Sequence, residues 1–335
     1  MTQSVNATFN AIVAEDVDGK PRAALKSISL NELPDEDVLV QVAYSTLNYK
    51  DGLAVSGKGR ICRSLPLICG IDLAGTVVES KNPAFKAGDK VLVNGFGLSE
   101  VHNGGYSQFQ RLKAEWLVRL PAAFSLEQSM ALGTAGYTAM LCVQAIQDHG
   151  ISPEQGPVLV TGAAGGVGSV AIGLLSKLGY SVTAVTGRVE NSSEFLTALG
   201  ASSILSRAEF VRDCKPLERE TWAAAIDTVG DKLLATVLSQ IKYEGLVAAC
   251  GLAGGINLPT TVMPFILRGV TLRGIDSVMA SQPRRQRAWD ALAQLTDIAA
   301  LEQIYRIEPM SKLPELAQQI IAGEIQGRIV IDVNQ

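Results

Sequence analysis

The chain has 335 residues, with 29 lysines and arginines against 33 aspartates and glutamates, and a formal net charge of −4. Hydrophobic residues make up 47% and charged residues 19%, a balance that excludes disorder as the main state and, at this length, favours two domains. The weak negative charge argues against a broad basic surface for nucleic acid, and 2 histidines argue against a His-rich metal site.

The N-terminus and the cysteines indicate a reducing compartment. Residues 1–10 are polar and lack the basic-then-apolar pattern of a signal peptide. The 5 cysteines form no C-x-x-C pair and lie in apolar or mixed surroundings, which is typical of reduced thiols. The apolar stretch 130–146 contains threonine, tyrosine and glutamine and is shorter than the ~20 residues of a membrane span. We therefore expect a cytoplasmic protein without a membrane partner.

The chain before Pro121 favours short strands. Apolar, β-branched runs are separated by turn-forming residues such as Lys-Ala-Gly-Asp at 86–89. Strands at this spacing are typical of a barrel-like module. The runs that predict strands are Thr8 to Ala14, Val38 to Tyr44, Asp72 to Glu79 and Lys90 to Asn94.

From Ser125 onward the pattern alternates between helix and strand. A helix is predicted from Ser125 to Asp148, and apolar residues at helical spacing recur between later apolar runs. Strands that alternate with helices of this length indicate a parallel, doubly wound sheet and an α/β fold. The predicted strands are 158–161, 181–186, 203–205, 223–228, 245–250 and 270–274.

The C-terminal segment returns to mixed character. Arg284 to Leu295 and Lys312 to Ile321 have helical spacing, and Arg328 to Val333 is an apolar strand. We expect this segment to pack on the N-terminal module, which makes that domain discontinuous. The arginines expected on the solvated face of the first helix are Arg284, Arg285 and Arg287.

The strongest chemical signal is a glycine-rich turn between a strand and a helix. Val158 to Thr161 leads into Gly162-Ala-Ala-Gly-Gly-Val-Gly168, an A-x-G-x-x-G variant of the dinucleotide pattern. Amides at the start of the helix favour an anion, Gly165 lets a pyrophosphate approach, and Gly168 lets helix and strand pack closely. A plain tight turn is the alternative. The residues predicted to line the pyrophosphate are Ala163, Ala164, Gly165, Gly166 and Val167.

The end of the next strand distinguishes the two nicotinamide dinucleotides. An NAD site usually has Asp or Glu there for the ribose 2′-hydroxyl, but this chain has Thr186-Gly187-Arg188. A guanidinium holds a 2′-phosphate through charge-assisted hydrogen bonds, whereas a carboxylate repels it. We therefore predict NADPH as the cofactor, with a solvated charge at a helix start as the alternative for Arg188.

Several longer motifs carry a family resemblance. They are 45–51 (STLNYKD), 66–75 (PLICGIDLAG), 133–142 (GTAGYTAMLC), 160–169, 225–231 (AIDTVGD), 249–255, 258–268 (LPTTVMPFILR) and 274–278. With them the chain resembles the acrylyl-CoA reductase (NADPH) family, or YhdH-type quinone oxidoreductases, of the zinc-independent medium-chain dehydrogenase/reductases. The resemblance covers nearly the whole chain. It implies a GroES-like catalytic domain (residues 1–125 and 297–335) and a Rossmann NADPH-binding domain (residues 126–296).

The resemblance also bears on metal content. Zinc-dependent relatives carry Gly-His-Glu where this chain has Gly70-Ile71-Asp72, and an isoleucine cannot bind a metal. Neither His102 nor His149 has a cysteine at ligand spacing. We therefore expect no metal at the site. His102 is expected in an exposed loop, with a place lining the cleft as the alternative.

The implied reaction is reduction of the activated double bond of acryloyl-CoA to propanoyl-CoA. Hydride from NADPH adds to the β-carbon, and the negative charge on the thioester oxygen is stabilised by hydrogen-bond donors. Asn48 and Tyr49 are the predicted catalytic residues. Tyr49 matches the family tyrosine beside the nicotinamide, and a phenol is a competent donor at neutral pH. A half-buried loop aromatic is the alternative for Tyr49.

Other contacts are carried over from the family motifs. Thr186, Gly187 and Arg188 surround the 2′-phosphate, and Arg207 lies on the adenine side or is a surface arginine. Leu252 follows the fifth strand of the parallel sheet and is predicted at the carboxyl edge, where ligands bind. Ile266 and Ser277 are predicted near the nicotinamide end. The roles of Thr134 and Arg328 stay open, and Thr134 either faces the cleft or only packs within its helix. A basic loop either binds CoA phosphates or is merely solvated; its cations are Lys58, Arg60 and Arg63.

Two other functions stay open at this point. One is NADPH-dependent reduction of quinones or enones, and the other is NADPH binding with little catalysis. The family also implies a homodimer, in which the edge of the sixth strand of the parallel sheet pairs across a two-fold axis. The expected partners are thus a small acyl-CoA substrate and a second copy of the chain.

Overall fold

The structure is a computed structural model and describes residues 8–335. The strands in this range are β1 (Thr8–Val17), β2 (Lys20–Ser29), β3 (Val38–Thr46), β4 (Leu67–Ile68), β5 (Asp72–Ser80), β6 (Lys90–Asn94), β7 (Phe109–Leu112), β8 (Val118–Arg119), β9 (Val158–Thr161), β10 (Val182–Thr186), β11 (Ser203–Ser206), β12 (Trp222–Asp227), β13 (Ile241–Ala249), β14 (Thr271–Gly274), β15 (Tyr305–Pro309) and β16 (Arg328–Asp332). The α-helices are α1 (Tyr49–Ser56), α2 (Leu126–Asp148), α3 (Gly166–Lys177), α4 (Val189–Ala198), α5 (Asp231–Gln240), α6 (Met263–Arg268), α7 (Gln282–Leu295), α8 (Ile298–Glu302) and α9 (Leu313–Ile321).

Two compact units make up the described chain. Unit 1 contains the residues up to Thr134 together with Ser277–Gln335, and unit 2 contains Ala135–Asp276. The boundaries predicted at 125/126 and 296/297 are therefore shifted to 134/135 and 276/277. The second shift follows from α7, because its side chains Arg285 and Trp289 are fully buried within unit 1.

Unit 1 is built around β3. This strand pairs antiparallel with β5, β7 and β16 in a sheet of seven strands, and β1, β2 and β4 form a smaller sheet. Val38, Val40 and Val42 of β3 are fully buried, since β-branched side chains pack well on one face of a pleated strand. The pairing of Val330 with Thr46 lays the last strand beside the end of β3. The C-terminal segment thereby completes the N-terminal sheet.

Unit 2 contains a six-stranded sheet in the order β11-β10-β9-β12-β13-β14. All of its neighbouring strands are parallel, and every residue of β9, β10 and β12 is buried. This order, with a reversal at β9, is that of a doubly wound sheet, whose ligands bind outside the carboxyl ends of the strands at the reversal. The α/β prediction of a parallel, doubly wound sheet is confirmed.

Helix α2 is the longest apolar element of the described residues. By length and composition it qualifies to cross a membrane, but 94% of its most apolar 18-residue segment is buried inside the protein. Gly133 interrupts its helical geometry with φ 50° and ψ −155°. Burial and this break are both typical of a core helix.

Candidate active site

The first candidate site lies in unit 1, where β3 passes into α1. Asn48 immediately precedes the helix. Its backbone N and its side-chain Nδ2 both donate to one carboxylate oxygen of Asp51, at 2.9 Å and 3.0 Å. The other carboxylate oxygen of Asp51 accepts from the backbone N of Ile71 (2.9 Å). An acidic residue in the first turn of a helix satisfies amides that have no intrahelical partner. The segment that carries Tyr49 is thereby fixed at its base.

Asp72, the first residue of β5, is the centre of this cluster. Its Oδ2 accepts from Asn48 Nδ2 (2.7 Å) and from the backbone N of Thr134 (3.1 Å). Its Oδ1 accepts from Asn94 Nδ2 and from Thr134 Oγ1, both at 2.6 Å. Thr134 therefore has a defined polar role, which the sequence left open between a cleft position and packing.

The break at Gly133 explains how Thr134 reaches Asp72. A Cβ added at Gly133 would lie 2.6 Å from Thr46 Cγ2, closer than carbon atoms approach in folded proteins, and would make a tight contact of 3.1 Å with Arg328 Nη2. Its positive φ of 50° is also a conformation that glycine adopts most readily. Glycine here lets the amide of Thr134 turn toward the buried carboxylate.

Arg328, whose role the sequence left open, supplies the positive charge of the cluster. Its guanidinium donates to the carbonyl of Ala131 (2.9 Å), to Thr46 Oγ1 (2.8 Å) and to Asn48 Oδ1 (3.3 Å). Burial lowers the pKa of Arg328, while Asp72 and Asp51 oppose that effect. Two buried carboxylates thus share one buried cation.

Asp51, the second carboxylate of this cluster, has a raised pKa. Burial, followed by the nearby charge of Asp72, raises the pKa of the Asp51 carboxyl from 3.8 to about 7, against the lowering effect of its hydrogen bonds from Asn48 and Ile71. Asp51 is therefore a proton-holding group close to the segment that carries Tyr49.

The two predicted catalytic residues have different environments. The side-chain amide of Asn48 donates to both Asp51 and Asp72 and accepts from Arg328, so its hydrogen-bonding capacity is used inside the protein. Tyr49 is 39% exposed, and within residues 8–335 its hydroxyl has no hydrogen-bond partner. The geometry therefore leaves Tyr49 available to a ligand and engages Asn48 in holding the cluster together.

The basic loop divides into paired and unpaired residues. Arg63 pairs with Glu100 (3.3 Å), as does Lys50. Lys58 and Arg60 are exposed, and neither forms a salt bridge within the described part of the chain. Two cations of this loop are thus available to an anionic ligand.

The second candidate site lies in unit 2, at the glycine turn after β9. Gly162 has φ 58°, and Gly165 is the residue before α3. A Cβ on Gly168 would lie 2.5 Å from the carbonyl oxygen of Gly162, so the close approach of helix and turn requires glycine. Ala163 and Ala164 are buried, whereas the residues from Gly165 to Val167 are half-buried at the helix start. The first amides of α3 have no intrahelical acceptor and can bind a phosphate.

Asp227, at the end of β12, holds this turn in place and was not singled out as a site residue from the sequence. Its Oδ1 accepts from Thr161 Oγ1 (2.7 Å) and its Oδ2 from the backbone N of Gly230 (2.8 Å). Thr228 Oγ1 in turn donates to the carbonyl of Thr161 (3.0 Å). Burial raises the pKa of Asp227, and these donors oppose it. An aspartate that ends a buried strand and precedes a glycine turn is the signal that identifies it.

The predicted 2′-phosphate site is assembled at the ends of two neighbouring strands. Thr186 and Ser206 are in register at the ends of β10 and β11, so Arg188 and Arg207 follow adjacent strands. Thr186 Oγ1 accepts from the backbone N of Arg188 (3.2 Å). The guanidinium of Arg207 packs on Gly187, where an added Cβ would lie 2.9 Å from Nη2. Two guanidinium-bearing residues therefore flank one turn.

The remaining predicted residues are more dispersed. Leu252 follows β13 and is 61% exposed, and Ile266 lies on α6 and is 72% exposed. Ser277 is half-buried in unit 1. Their predicted contacts with the cofactor stay predictions.

Comparisons with known proteins agree with this architecture. Residues 34–122 match the family described as "Alcohol dehydrogenase GroES-like domain" and residues 166–295 the family described as "Zinc-binding dehydrogenase". The chain is 52% identical to "Acrylyl-CoA reductase AcuI" of Ruegeria pomeroyi, over 97% of this chain and 99% of that protein.

Two similar structures have been solved with a bound dinucleotide. Escherichia coli K-12 YhdH with bound NADPH is 51% identical, with a TM-score of 0.95 over 97% of this chain and 100% of that one. Bacillus subtilis yhfP with NAD bound is 44% identical, with a TM-score of 0.93 over 97% and 99%; its protein is named "Putative quinone oxidoreductase YhfP".

One of these family descriptions implies zinc, and the residues present do not fit it. Within residues 8–335 no group of three or more His, Cys, Asp and Glu side chains is placed to hold a metal ion. His102 packs against Trp116 at 4.8 Å between ring centroids, and His149 contacts the carbonyl of Glu244 at 3.1 Å. The oxygens of Asp51 and Asp72 are occupied by N–H and O–H donors.

Proposed function

The chain belongs to the acrylyl-CoA reductase AcuI family of the medium-chain dehydrogenase/reductases, and from this premise we propose that it catalyses NADPH-dependent reduction of acryloyl-CoA to propanoyl-CoA. NADPH is chosen over NADH because two arginines, Arg188 and Arg207, flank Gly187. Two guanidinium groups at the end of β10 fit a 2′-phosphate better than a 2′-hydroxyl.

Most of the residues proposed to hold NADPH lie at two turns of unit 2, whereas Tyr49 and Ser277 belong to unit 1. The residues 163–167 line the pyrophosphate, and Thr186, Gly187 and Arg188 surround the 2′-phosphate, with Arg207 toward the adenine. Tyr49, Ile266 and Ser277 contact the nicotinamide end, and Leu252 contacts the cofactor at the carboxyl edge of the parallel sheet. When bound, NADPH supplies the hydride. The glycine turn fits a pyrophosphate because its amides at the start of α3 are free of intrahelical acceptors.

The role proposed for Tyr49 is hydrogen bonding at the reacting end of the site. Reduction adds a hydride to the β-carbon and a proton to the α-carbon, so negative charge develops on the thioester oxygen. A phenol hydroxyl placed there stabilises that charge or delivers the proton. Asn48, predicted as a direct catalytic residue, acts in our proposal by holding the start of α1, because its amide is already bonded to Asp51, Asp72 and Arg328.

Isotope labelling tests the proposed reaction. NADPH carrying deuterium at the transferred C4 position should give propanoyl-CoA labelled at the β-carbon, and a reaction in D₂O should label the α-carbon. Mass spectrometry of the product locates each deuterium. Label at the α-carbon from NADPH, or no propanoyl-CoA at all, would refute the assigned reaction. Tyr49→Phe should lower kcat about tenfold or more while leaving the Kd for NADPH within about twofold.

A quinone reductase is the second candidate, favoured by the name of the 43% identical Bacillus subtilis relative. The two candidates differ at the exposed cations Lys58 and Arg60, since a CoA ester carries phosphates and a simple quinone does not. We propose that these cations bind CoA phosphates. A third reading, NADPH binding with little catalysis, predicts a measurable Kd without turnover of either substrate.

We further propose that the enzyme works without zinc, is cytoplasmic and forms a homodimer. Zinc independence is supported by Ile71, which cannot bind a metal, and predicts full activity after dialysis against a chelator. The homodimer is supported by β14, the last strand of its sheet, and by the exposed residues Ile256 (84%) and Val262 (64%) of the chain between β13 and β14. Val262→Asp should shift the mass in light scattering toward the monomer, and an unchanged mass would contradict this interface.

A further inference from the structure

Arg285 of α7 is a fully buried arginine that the proposed reaction does not use. The sequence placed it on the solvated face of its helix, but it is 0% exposed, whereas its neighbour Arg284 is exposed. Its helical positions explain why: Ala288, Trp289 and Leu292 are also buried, and positions i, i+3, i+4 and i+7 share one face of a helix. Burying a guanidinium is costly unless it is hydrogen-bonded.

Those hydrogen bonds join two loops of unit 1. Nη1 of Arg285 donates to the carbonyl of Asn94 (2.7 Å), at the end of β6. Nη2 donates to the carbonyls of Ser277 (3.4 Å) and Val278 (3.2 Å). The loop that follows β6 is also joined directly to the second loop, since the backbone N of Phe96 donates to the carbonyl of Val278 (3.0 Å). One side chain therefore ties the segment that carries Ser277 to the segment that carries Phe96.

Phe96 shows that this arrangement is imposed by tertiary contacts. Its φ is 50°, a left-handed conformation that a bulky residue rarely adopts. The guanidinium of Arg285 lies 4.1 Å from the centroid of its ring, and Trp116 is stacked with the ring at 5.8 Å and an interplanar angle of 11°. Unfavourable backbone conformations persist where the surroundings over-determine them, and they concentrate at functional sites.

Asn94 connects Arg285 to the cluster centred on Asp72. Its side chain donates from Nδ2 to Asp72 Oδ1 (2.6 Å) and accepts from Trp289 Nε1 (3.2 Å). Asp72 in turn binds Asn48, the residue before Tyr49. A continuous run of buried polar contacts thus leads from Ser277 through Arg285, Asn94 and Asp72 to the start of α1.

We propose that Arg285, acting through Asn94, is a positioning residue that holds the Ser277 loop in register with the Tyr49 segment. The inference rests on the proposed function, because Ser277 and Tyr49 are the unit 1 residues assigned there to the nicotinamide end. Misplacing one of two groups around a reacting centre lowers the rate of the chemical step more than ground-state binding. Arg285 touches neither reactant and acts only through these loops.

The test compares Arg285→Met and Arg285→Lys with two controls on the same helix. Arg284→Met removes an exposed charge, and Leu292→Ala shortens a buried apolar side chain on the same face, two helical turns beyond Arg285. Arg285→Met should lower kcat for acryloyl-CoA at saturating NADPH about tenfold or more, with KM changed less than about threefold. Arg285→Lys, which keeps the charge near Phe96, should recover part of that loss. Leu292→Ala should lower Tm but keep kcat within about twofold.

Hydrogen exchange gives a readout that is independent of activity. The amide of Phe96 should exchange about tenfold faster or more in Arg285→Met than in wild type, and no faster in Arg284→Met. If Arg285→Met does not fold, Phe96→Leu takes its place, since it removes the ring contact and should lower kcat in the same direction.

The outcomes separate this inference from the proposed function. If the wild-type enzyme reduces quinones but not acryloyl-CoA, the proposed substrate is refuted. The kcat of each variant relative to wild type is then measured with the quinone. Wild type without any turnover refutes the proposed activity, and exchange at Phe96 then decides whether Arg285 holds the loop. An Arg285→Met enzyme with wild-type kcat, or with the same loss as Leu292→Ala, overturns the positioning role, as does unchanged exchange at Phe96.

Discussion

Replacing Asp51 with asparagine should change the pH dependence of stability in a defined direction. Burial and Asp72 raise the pKa of this carboxyl from 3.8 to about 7, so the folded protein binds the proton more tightly than the unfolded chain. The group therefore contributes stability that is fully present below pH 3.8 and is lost as the pH rises through about 7. Between these values the slope approaches about 1.4 kcal/mol per pH unit.

Asp51→Asn removes this titration while keeping the shape of the protonated carboxyl. The free energy of unfolding of the variant should increase relative to that of wild type from pH 5 to pH 7 and then level off, because wild type loses stability over this range. Urea denaturation at several pH values measures the difference, and Asp290→Asn, at an exposed aspartate of α7, controls for the loss of a surface carboxyl group. A difference that does not vary with pH, or that grows toward low pH, would refute the assigned proton.

Three further predictions concern the cofactor, the substrate and the break in α2. Arg188→Ala should raise the Kd for NADPH about tenfold, because a charge-assisted contact of about 1.5–3 kcal/mol is lost while Arg207 keeps part of the attraction. The Kd for NADH, also measured by fluorescence titration, should be nearly unchanged, and an equal rise in both Kd values would refute the role of Arg188. The double replacement Lys58→Ala with Arg60→Ala should raise KM for acryloyl-CoA about three- to tenfold and leave KM for a quinone unchanged, which steady-state kinetics checks. Gly133→Ala should lower the free energy of unfolding by about 2–4 kcal/mol, whereas Gly173→Ala, whose added Cβ meets open space, should not. Equal stability of the two variants in denaturant titration would contradict the requirement for glycine at position 133.

The sequence alone predicted those features that depend on residues close together in the chain. The parallel sheet of unit 2 follows from short apolar strands that alternate with helices, and the glycine turn follows from spacing alone. The arginine after β10 was readable for the same reason, because a strand end brings its residue to the ligand edge of the sheet.

The cluster around Asp72 was not predictable in this way. Its partners Asn48, Asn94, Thr134 and Arg328 are separated from Asp72 by 24, 22, 62 and 256 positions of the chain, and only the pairing of β16 with β3 and the break at Gly133 bring them together. No periodicity in a single sequence encodes such contacts. The bonds that Asn48, predicted as a catalytic residue, forms with Asp72 and Arg328 come from such distant segments.

Arg285 is a different case, because the signal was present. Its spacing from Trp289 and Leu292 places it on the buried face of α7, but residue type favoured solvent. The same helix lies in unit 1, whereas the boundary predicted at 296/297 had placed it in the Rossmann domain. Helical position was here the better guide than charge.

We expect the site to be specific for acryloyl-CoA with NADPH. The absorbance of reduced nicotinamide follows NADPH consumption with acryloyl-CoA or a series of quinones, at equal enzyme concentration. The kcat/KM for acryloyl-CoA should be at least about a hundredfold above that for any of the quinones. A quinone with a comparable or higher kcat/KM would contradict this specificity.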